Sequence, residues 1–430
     1  MSTATTLPLL ALRSARLRGQ AMGITSVCSA HPQVIGAALA LGRATGNPVL
    51  IEATCNQVNQ DGGYTGMRPA DFRRFVEQIA AAEGFDPANL ILGGDHLGPN
   101  PWQDLPAGQA MDKACTMMAA YAAAGFKKLH LDASMPCADD PTPLPDATIA
   151  ARSARLAAVA EANASGERPV YVIGTEVPVP GGALEVVEHL TVTAPQAARA
   201  TVAIHEQEFA RHGIADAFAR VIGLVVQPGV EFGYENVVAY RPDAARDLVA
   251  ALDDLPLIYE AHSTDYQTPA ALTALVRDGF AILKVGPGLT FALREALYGL
   301  DHIASVLFPD RSTGLQACME RLMLDRPDHW ARYYPGRAQQ QKLQRHFSYS
   351  DRIRYYWADP VASGAVDDLM ALLGDRPLPE PLISQFLAAS YPAVMSGSLA
   401  PTAAALIRAA ITRLLTSYDT ACTRQPLKFT

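Results

Sequence analysis

Cysteine is scarce and scattered. The six residues Cys28, Cys55, Cys115, Cys137, Cys318 and Cys422 form no C-x-x-C pair. They read as reduced thiols of a cytoplasmic protein rather than a disulfide frame. No run approaches the ~18 apolar residues of a membrane span. The short apolar run at 7–12 precedes Arg13, Arg16 and Arg18, whereas a secretory signal carries its charge first, so export is not expected. No basic cluster relieves a net charge of −8, which argues against nucleic acid as a partner. G-x-x-x-x-G-K-[ST] is absent, and no G-x-G-x-x-G follows the first apolar run. A phosphate loop and a dinucleotide fold are thereby disfavoured.

What is present is ordinary globular composition, 49% hydrophobic and 18% charged over 430 residues. Eight short runs rich in Val, Ile and Leu lie at 23–28, 49–53, 90–94, 128–132, 170–174, 222–226, 257–261 and 281–285. Segments with helical periodicity separate them. In 69–82, Phe72, Phe75, Val76 and Ile79 share one face and Arg73, Arg74 and Glu77 the other. Alternating strands and helices imply right-handed βαβ units. Eight units over roughly 250 residues predict an α/β fold of the TIM (β/α)8 barrel type, with a C-terminal helical extension. The expected division is a helix within 1–20 at the barrel base, the barrel over 21–310, and helices from 311 to 430. That last segment reads as a small helical subdomain or an oligomer-forming arm, and a homo-oligomer is expected.

A barrel carries its chemistry at the strand C-termini. Here those ends are polar: Glu52, Asp95-His96, His130 with Asp132, Glu176, Gln227, Glu260 to Asp265, and Lys284. Buried polar groups cost about 1–3 kcal/mol each unless satisfied, so such a ring implies mutual pairing or a ligand. Asp95 and Glu176 are the candidates for proton transfer. His96, Glu176, Gln227 and His262 are the candidate ligands of a divalent metal, a mixed N/O set suited to Zn²⁺, Mn²⁺, Co²⁺ or Ni²⁺. His130, inside a strand, reads equally as a core histidine. Glu52, Asp132 and Asp265 are expected to orient substrate. Lys284 with the turn Gly286-Pro287-Gly288 is expected to take a phosphate or terminal hydroxyl at a helix N-terminus. Val177-Pro178-Val179-Pro180-Gly181-Gly182 is read as a rigid turn with a loose end, a lid. Arg294, Arg352 and Arg354 are the other basic residues placed near the mouth. A bisphosphate needs two anion sites, which favours a less phosphorylated substrate.

Long motifs carry a resemblance. They include Ser26-Val27-Cys28-Ser29-Ala30-His31-Pro32, Gly93-Gly94-Asp95-His96-Leu97-Gly98-Pro99-Asn100, Leu129-His130-Leu131-Asp132-Ala133-Ser134 and Gly174-Thr175-Glu176-Val177-Pro178-Val179-Pro180-Gly181-Gly182. Tyr259-Glu260-Ala261-His262-Ser263-Thr264-Asp265 and Ser350-Asp351-Arg352-Ile353-Arg354-Tyr355-Tyr356-Trp357 complete the set. The chain resembles the Z-type subunit (GatZ/KbaZ) of class II D-tagatose-1,6-bisphosphate aldolase. The resemblance implies a TIM barrel and carbohydrate metabolism of the tagatose or galactitol type. It implies a ketose or ketose phosphate as substrate, and two activities. One is a metal-dependent ketose 4-epimerase working by cleavage and re-formation of C3–C4. The other is a non-catalytic subunit that supports a catalytic class II aldolase subunit. Class II aldolases place an Asp-His pair at a strand end, Asp for the proton and His for the metal, which Asp95-His96 matches.

Overall fold

The computed structural model describes residues 6–177, 190–311, 313–423 and 425–426. Of the expected lid at 177–182, only Val177 is among the described residues, and 178–182 lie outside them. Eight parallel strands close into a barrel: β1 Ile24–Val27, β2 Val49–Thr54, β3 Leu90–Leu97, β4 Lys128–Leu131, β5 Val170–Ile173, β6 Val221–Val225, β7 Ile258–Ala261 and β8 Phe280–Val285. Neighbours follow chain order, and β8 returns to β1 with Ile282 opposite Ile24 and Val285 opposite Val27.

The helices between strands bury one stripe against the sheet. In Pro69–Ala82, Phe72, Val76 and Ala80 are buried at spacings of four. The Asp71 carboxylate accepts the Arg68 N–H at 3.1 Å and caps the first turn.

Inside the barrel the two ends differ. At the base, Ile24, Leu50, Ile91, Val170, Ile222, Ile258 and Ile282 form an apolar layer, and Leu9 and Leu12 of the helix Leu7–Leu17 pack into it. One step up, the same faces of the strands carry Ser26, Glu52, Lys128, Glu260 and Lys284, because side chains two residues apart share a face. The barrel is therefore oily at one end and charged at the other.

A long helix, Pro287–Leu307, leaves β8, and the chain continues through Leu315–Asp325, Ala338–Phe347 and Pro360–Leu373 to Ala403–Cys422. That last helix returns to the barrel and packs on Pro32–Thr45, Pro269–Arg277 and β1. Tyr418 donates its hydroxyl to the Thr264 carbonyl at 2.7 Å, and the Gly23 N–H bonds the Cys422 carbonyl at 3.0 Å. Its side chains belong to the same continuous core as the strands. No helix among the described residues is long and apolar enough to cross a membrane.

Candidate active site

Glu52 on β2 pairs in register with Gly93 on β3, and Gly93 with Lys128 on β4. A Cβ at Gly93 would lie 2.7 Å from Glu52 Oε1. The missing side chain opens the gap across which Lys128 Nζ reaches Glu52 Oε1 at 2.6 Å. On its other side the same ammonium meets Glu260 Oε2 at 2.8 Å. All three side chains are fully buried. Burial alone would raise the Glu260 carboxyl, but Lys128, and then His262, outweigh it and hold it well below the usual carboxylate range. Burial disfavours the charged lysine, yet the two carboxylates win and Lys128 stays protonated.

Asp95 and His96 are neighbours in sequence, and a regular strand would send them to opposite faces. Between Gly94 and Leu97 the register of β3 against β4 slips, so β3 carries an extra residue there. His96 takes a left-handed backbone, φ +48°. Both side chains then line the mouth. Another positive φ lies at Ser263, +53°, just after β7. Such backbone strain is characteristic of functional sites.

Three imidazoles meet above the charged layer. Ring centroids lie 5.1 Å apart for His96 and His130, 4.9 Å for His96 and His262, and 5.1 Å for His130 and His262. His96 Nδ1 is 2.7 Å from Asp132 Oδ2, whose other oxygen accepts the Ser134 N–H and hydroxyl. A carboxylate at this distance fixes the orientation of the His96 ring. His262 Nε2 is 2.9 Å from Glu260 Oε1, and His130 Nδ1 is 3.0 Å from Asp95 Oδ1. His130 Nε2 is buried without a hydrogen-bond partner among the described residues. Burial pushes His130 and His262 down to about 4, so both rings are neutral at pH 7.

One ligand atom each from Asp95, His130, Glu260 and His262 falls within a 4.8 Å cluster, and His96 Nε2 is 3.8 Å from Asp95 Oδ2. This buried group of acidic and histidine residues can hold a metal ion. Formal charge agrees. With the imidazoles counted neutral, Lys128 and Lys284 face the carboxylates Glu52, Asp95, Asp132 and Glu260, an excess of two negative charges. A divalent cation would neutralise that excess. Cys28 lies 4.0 Å from Glu52, but burial pushes its thiol up to about 12, and it stays protonated.

Several expectations need correction. His130 joins the site in place of Glu176 and Gln227, which the fold does not bring to it. β5 ends at Ile173 and β6 at Val225, so both residues fall beyond the strands. Glu176 accepts the Thr193 hydroxyl at 2.6 Å, and Gln227 Oε1 caps a turn by accepting the Gly229 and Val230 N–H groups. Glu52 and Asp132 are paired with Lys128 and His96 and do not line the cleft. Lys284 is enclosed by carboxylates: it contacts Asp95 and lies 3.5 Å from Glu52 and 3.8 Å from Glu260. The glycine turn is already filled. Asp265 Oδ1 accepts the Gly286 N–H at 3.0 Å and the Gly288 N–H at 2.7 Å, so these amides are not open to a phosphate. Burial raises Asp265 to about 6, against the lowering effect of those two amides. Asp265, Lys284 and Gly286 do line the cleft, of about 650 Å³ and partly open to solvent, with Asp95, His96 and His262.

Residues 9–423 match the model of the family described as D-tagatose-1,6-bisphosphate aldolase subunit GatZ/KbaZ-like. The chain belongs to this family. The GatZ/KbaZ-like chain is 54% identical over 417 residues to a D-tagatose 6-phosphate 4-epimerase of Agrobacterium fabrum, covering 95% of this chain and 97% of the relative. It is 60% identical to the crystal structure of a probable tagatose 6 phosphate kinase from Sinorhizobium meliloti 1021, with a TM-score of 0.87 over 93% of this chain and all of that one. A fructuronate-tagaturonate epimerase from Cohnella laeviribosi shares the fold at 11% identity, with a TM-score of 0.50 over 95% of this chain and 82% of that chain.

Proposed function

We propose that this GatZ/KbaZ-like protein is a divalent-metal-dependent ketose 4-epimerase, with His96, His130 and His262 as the metal ligands and Asp95 as the proton-transfer group. The reading rests above all on one observation: three imidazoles and two carboxylates converge within one chain, around an excess of negative charge. The 54% identical relative named as a D-tagatose 6-phosphate 4-epimerase supports the reaction type. Six free thiols fit a reducing, cytoplasmic setting.

The C4 hydrogen of a 2-ketose is not adjacent to the carbonyl, so direct deprotonation there is unfavourable. Breaking C3–C4 solves this. Asp95, which lines the cleft beside His96, takes the C4 hydroxyl proton. The C3–C4 electron pair passes to C3, leaving a C1–C3 enediolate and an aldehyde at C4. The aldehyde turns, the enediolate adds to its other face, and Asp95 returns the proton to the C4 oxygen. A divalent cation in this site supplies Lewis-acid stabilisation of the negative charge that develops on the ketose oxygens. Asp132 holds the His96 ring in position, and Lys128 with Glu52 and Glu260 keeps the layer beneath rigid. Retention of the aldehyde distinguishes epimerisation from aldol cleavage at the same site.

The test is product analysis on the isolated protein, stripped of metal and then supplied with Mn²⁺, Co²⁺, Ni²⁺ or Zn²⁺, using tagatose, fructose and their phosphates. Interconversion of the C4 epimers should appear only with metal. His96→Ala, His130→Ala and His262→Ala should each abolish it while circular dichroism stays native. Turnover that survives chelation, or survives in all three variants, overturns the reading. Strict dependence on an added class II aldolase subunit would instead support the accessory-subunit alternative.

A further inference from the structure

The cleft wall opposite in sequence to the barrel strands comes from the short turn Arg352–Tyr356. Asp351, at φ +44°, anchors that turn by accepting the Thr290 hydroxyl at 2.7 Å and Arg294 Nε at 2.9 Å. Arg294 is thus neutralised by Asp351, and Lys128 and Lys284 by the carboxylates of the barrel. Arg352 and Arg354 are different. Among the described residues neither has a carboxylate within 4 Å, although Arg352 is only 8% exposed. Arg354 and Tyr355 line the same cleft as Asp95, His96 and His262.

The two guanidinium groups bracket Tyr355. Arg354 donates to its hydroxyl at 2.8 Å and stacks 4.4 Å from its ring centroid, with Arg352 at 4.9 Å. Burial would raise the Tyr355 phenol, but Arg354 and Arg352 outweigh it and draw it below its ordinary value. The same two guanidinium groups make this part of the cleft wall positive. Arg354 is half-buried, and Arg352 is buried with its Nε donating to the His329 carbonyl; guanidinium charge held away from water with no carboxylate beside it is unfavourable unless an anion arrives. The usual seat for a phosphate in this fold, the helix N-terminus after β8, is occupied by Asp265.

We infer that Arg354, backed by Arg352 and the Tyr355 hydroxyl, seats the single phosphate of a ketose monophosphate. Two positive charges match one phosphate dianion, and guanidinium is suited to it. The filling of the glycine turn by Asp265 leaves the second phosphate of a bisphosphate without a comparable site. The sugar's identity rests on the epimerase reading; the anion subsite does not.

Calorimetric binding tests this without turnover, so a failure of the epimerase reading leaves the result interpretable. The probes are inorganic phosphate, fructose, fructose 6-phosphate, fructose 1,6-bisphosphate and galacturonate. Wild-type protein should bind fructose 6-phosphate at least about 10-fold more tightly than fructose, with phosphate competing. Arg354→Gln should shrink that advantage by about 10- to 100-fold, and Arg354→Lys should restore part of it. Arg354 also donates to the Ser350 and Asp351 carbonyls, so Arg352→Gln and Tyr355→Phe are measured in parallel and should each reduce the advantage. The proposal is overturned if the 6-phosphate binds no better than the free sugar. It is equally overturned if the advantage persists in every folded variant, or if the bisphosphate or the uronate binds more tightly than the monophosphate.

Discussion

Lys128→Met should strongly destabilise the fold, and the effect should depend on pH in a specific direction. The ammonium lies 2.6 Å from Glu52 and 2.8 Å from Glu260, and all three side chains are buried. Removing one member of a buried ion pair costs about 3–5 kcal/mol, because the remaining charge is left uncompensated. Here two carboxylates lose their nearest cation. Lys284, 3.5 Å from Glu52 and 3.8 Å from Glu260, offsets part of the loss, so about 4 kcal/mol is expected. In the wild type Lys128 depresses the folded-state carboxyl of Glu260. That stabilisation is present above the unfolded pKa, about 4.3, and is lost as pH falls through the folded value. Without Lys128, burial dominates and the folded carboxyls rise, so protonation relieves the variant. Urea unfolding from pH 5 to 8 should show the deficit largest at pH 8. Adding Glu260→Gln should recover about 1–2 kcal/mol. A deficit below about 1 kcal/mol, or one that does not change with pH, would refute the reasoning.

Asp132→Asn should weaken divalent-metal affinity by about 10- to 100-fold in a titration, because the His96 ring loses its anionic partner at 2.7 Å. Gly98→Ala places a Cβ 1.6 Å from the Asp132 carbonyl oxygen, so thermal unfolding should report a loss of about 3 kcal/mol or more. Asp265, raised to about 6 by burial, binds its proton more tightly in the folded state, so its contribution to stability falls as pH rises from about 4 to 6. In Asp265→Asn, whose Oδ1 can still accept both glycine amides, that slope should flatten by roughly 3 kcal/mol over the window, measured by urea unfolding.

The barrel was legible because the strands are short runs rich in Val, Ile or Leu, separated by segments of helical periodicity. The site was legible only where its residues lie within a strand or at its end. Asp95, His96 and His262 line one cleft, the first two by way of a bulge in β3. His130 was not distinguishable from a core histidine, since its neighbours are Leu129 and Leu131. The signal available was Lys128 two residues earlier: Lys-Leu-His-Leu puts both polar groups on one face of β4, inside the barrel. Glu176 and Gln227 misled for the opposite reason. They lie in strand-end sequence, but two or three residues past the last ladder bond the chain turns away, and local partners take their oxygens. The exchange of a phosphate for Asp265 at the glycine turn depends on a contact across about 20 residues of chain, which spacing alone does not encode.

The central claim is that this single chain inverts C4 by breaking and remaking C3–C4. Running the metal-loaded reaction in D2O with fructose 6-phosphate and reading tagatose 6-phosphate by NMR tests it directly. Cleavage never detaches hydrogen from C4, so the product should carry no solvent deuterium at that carbon. Deuterium at C4, or no 4-epimer formed with any of the four metals, would contradict the account.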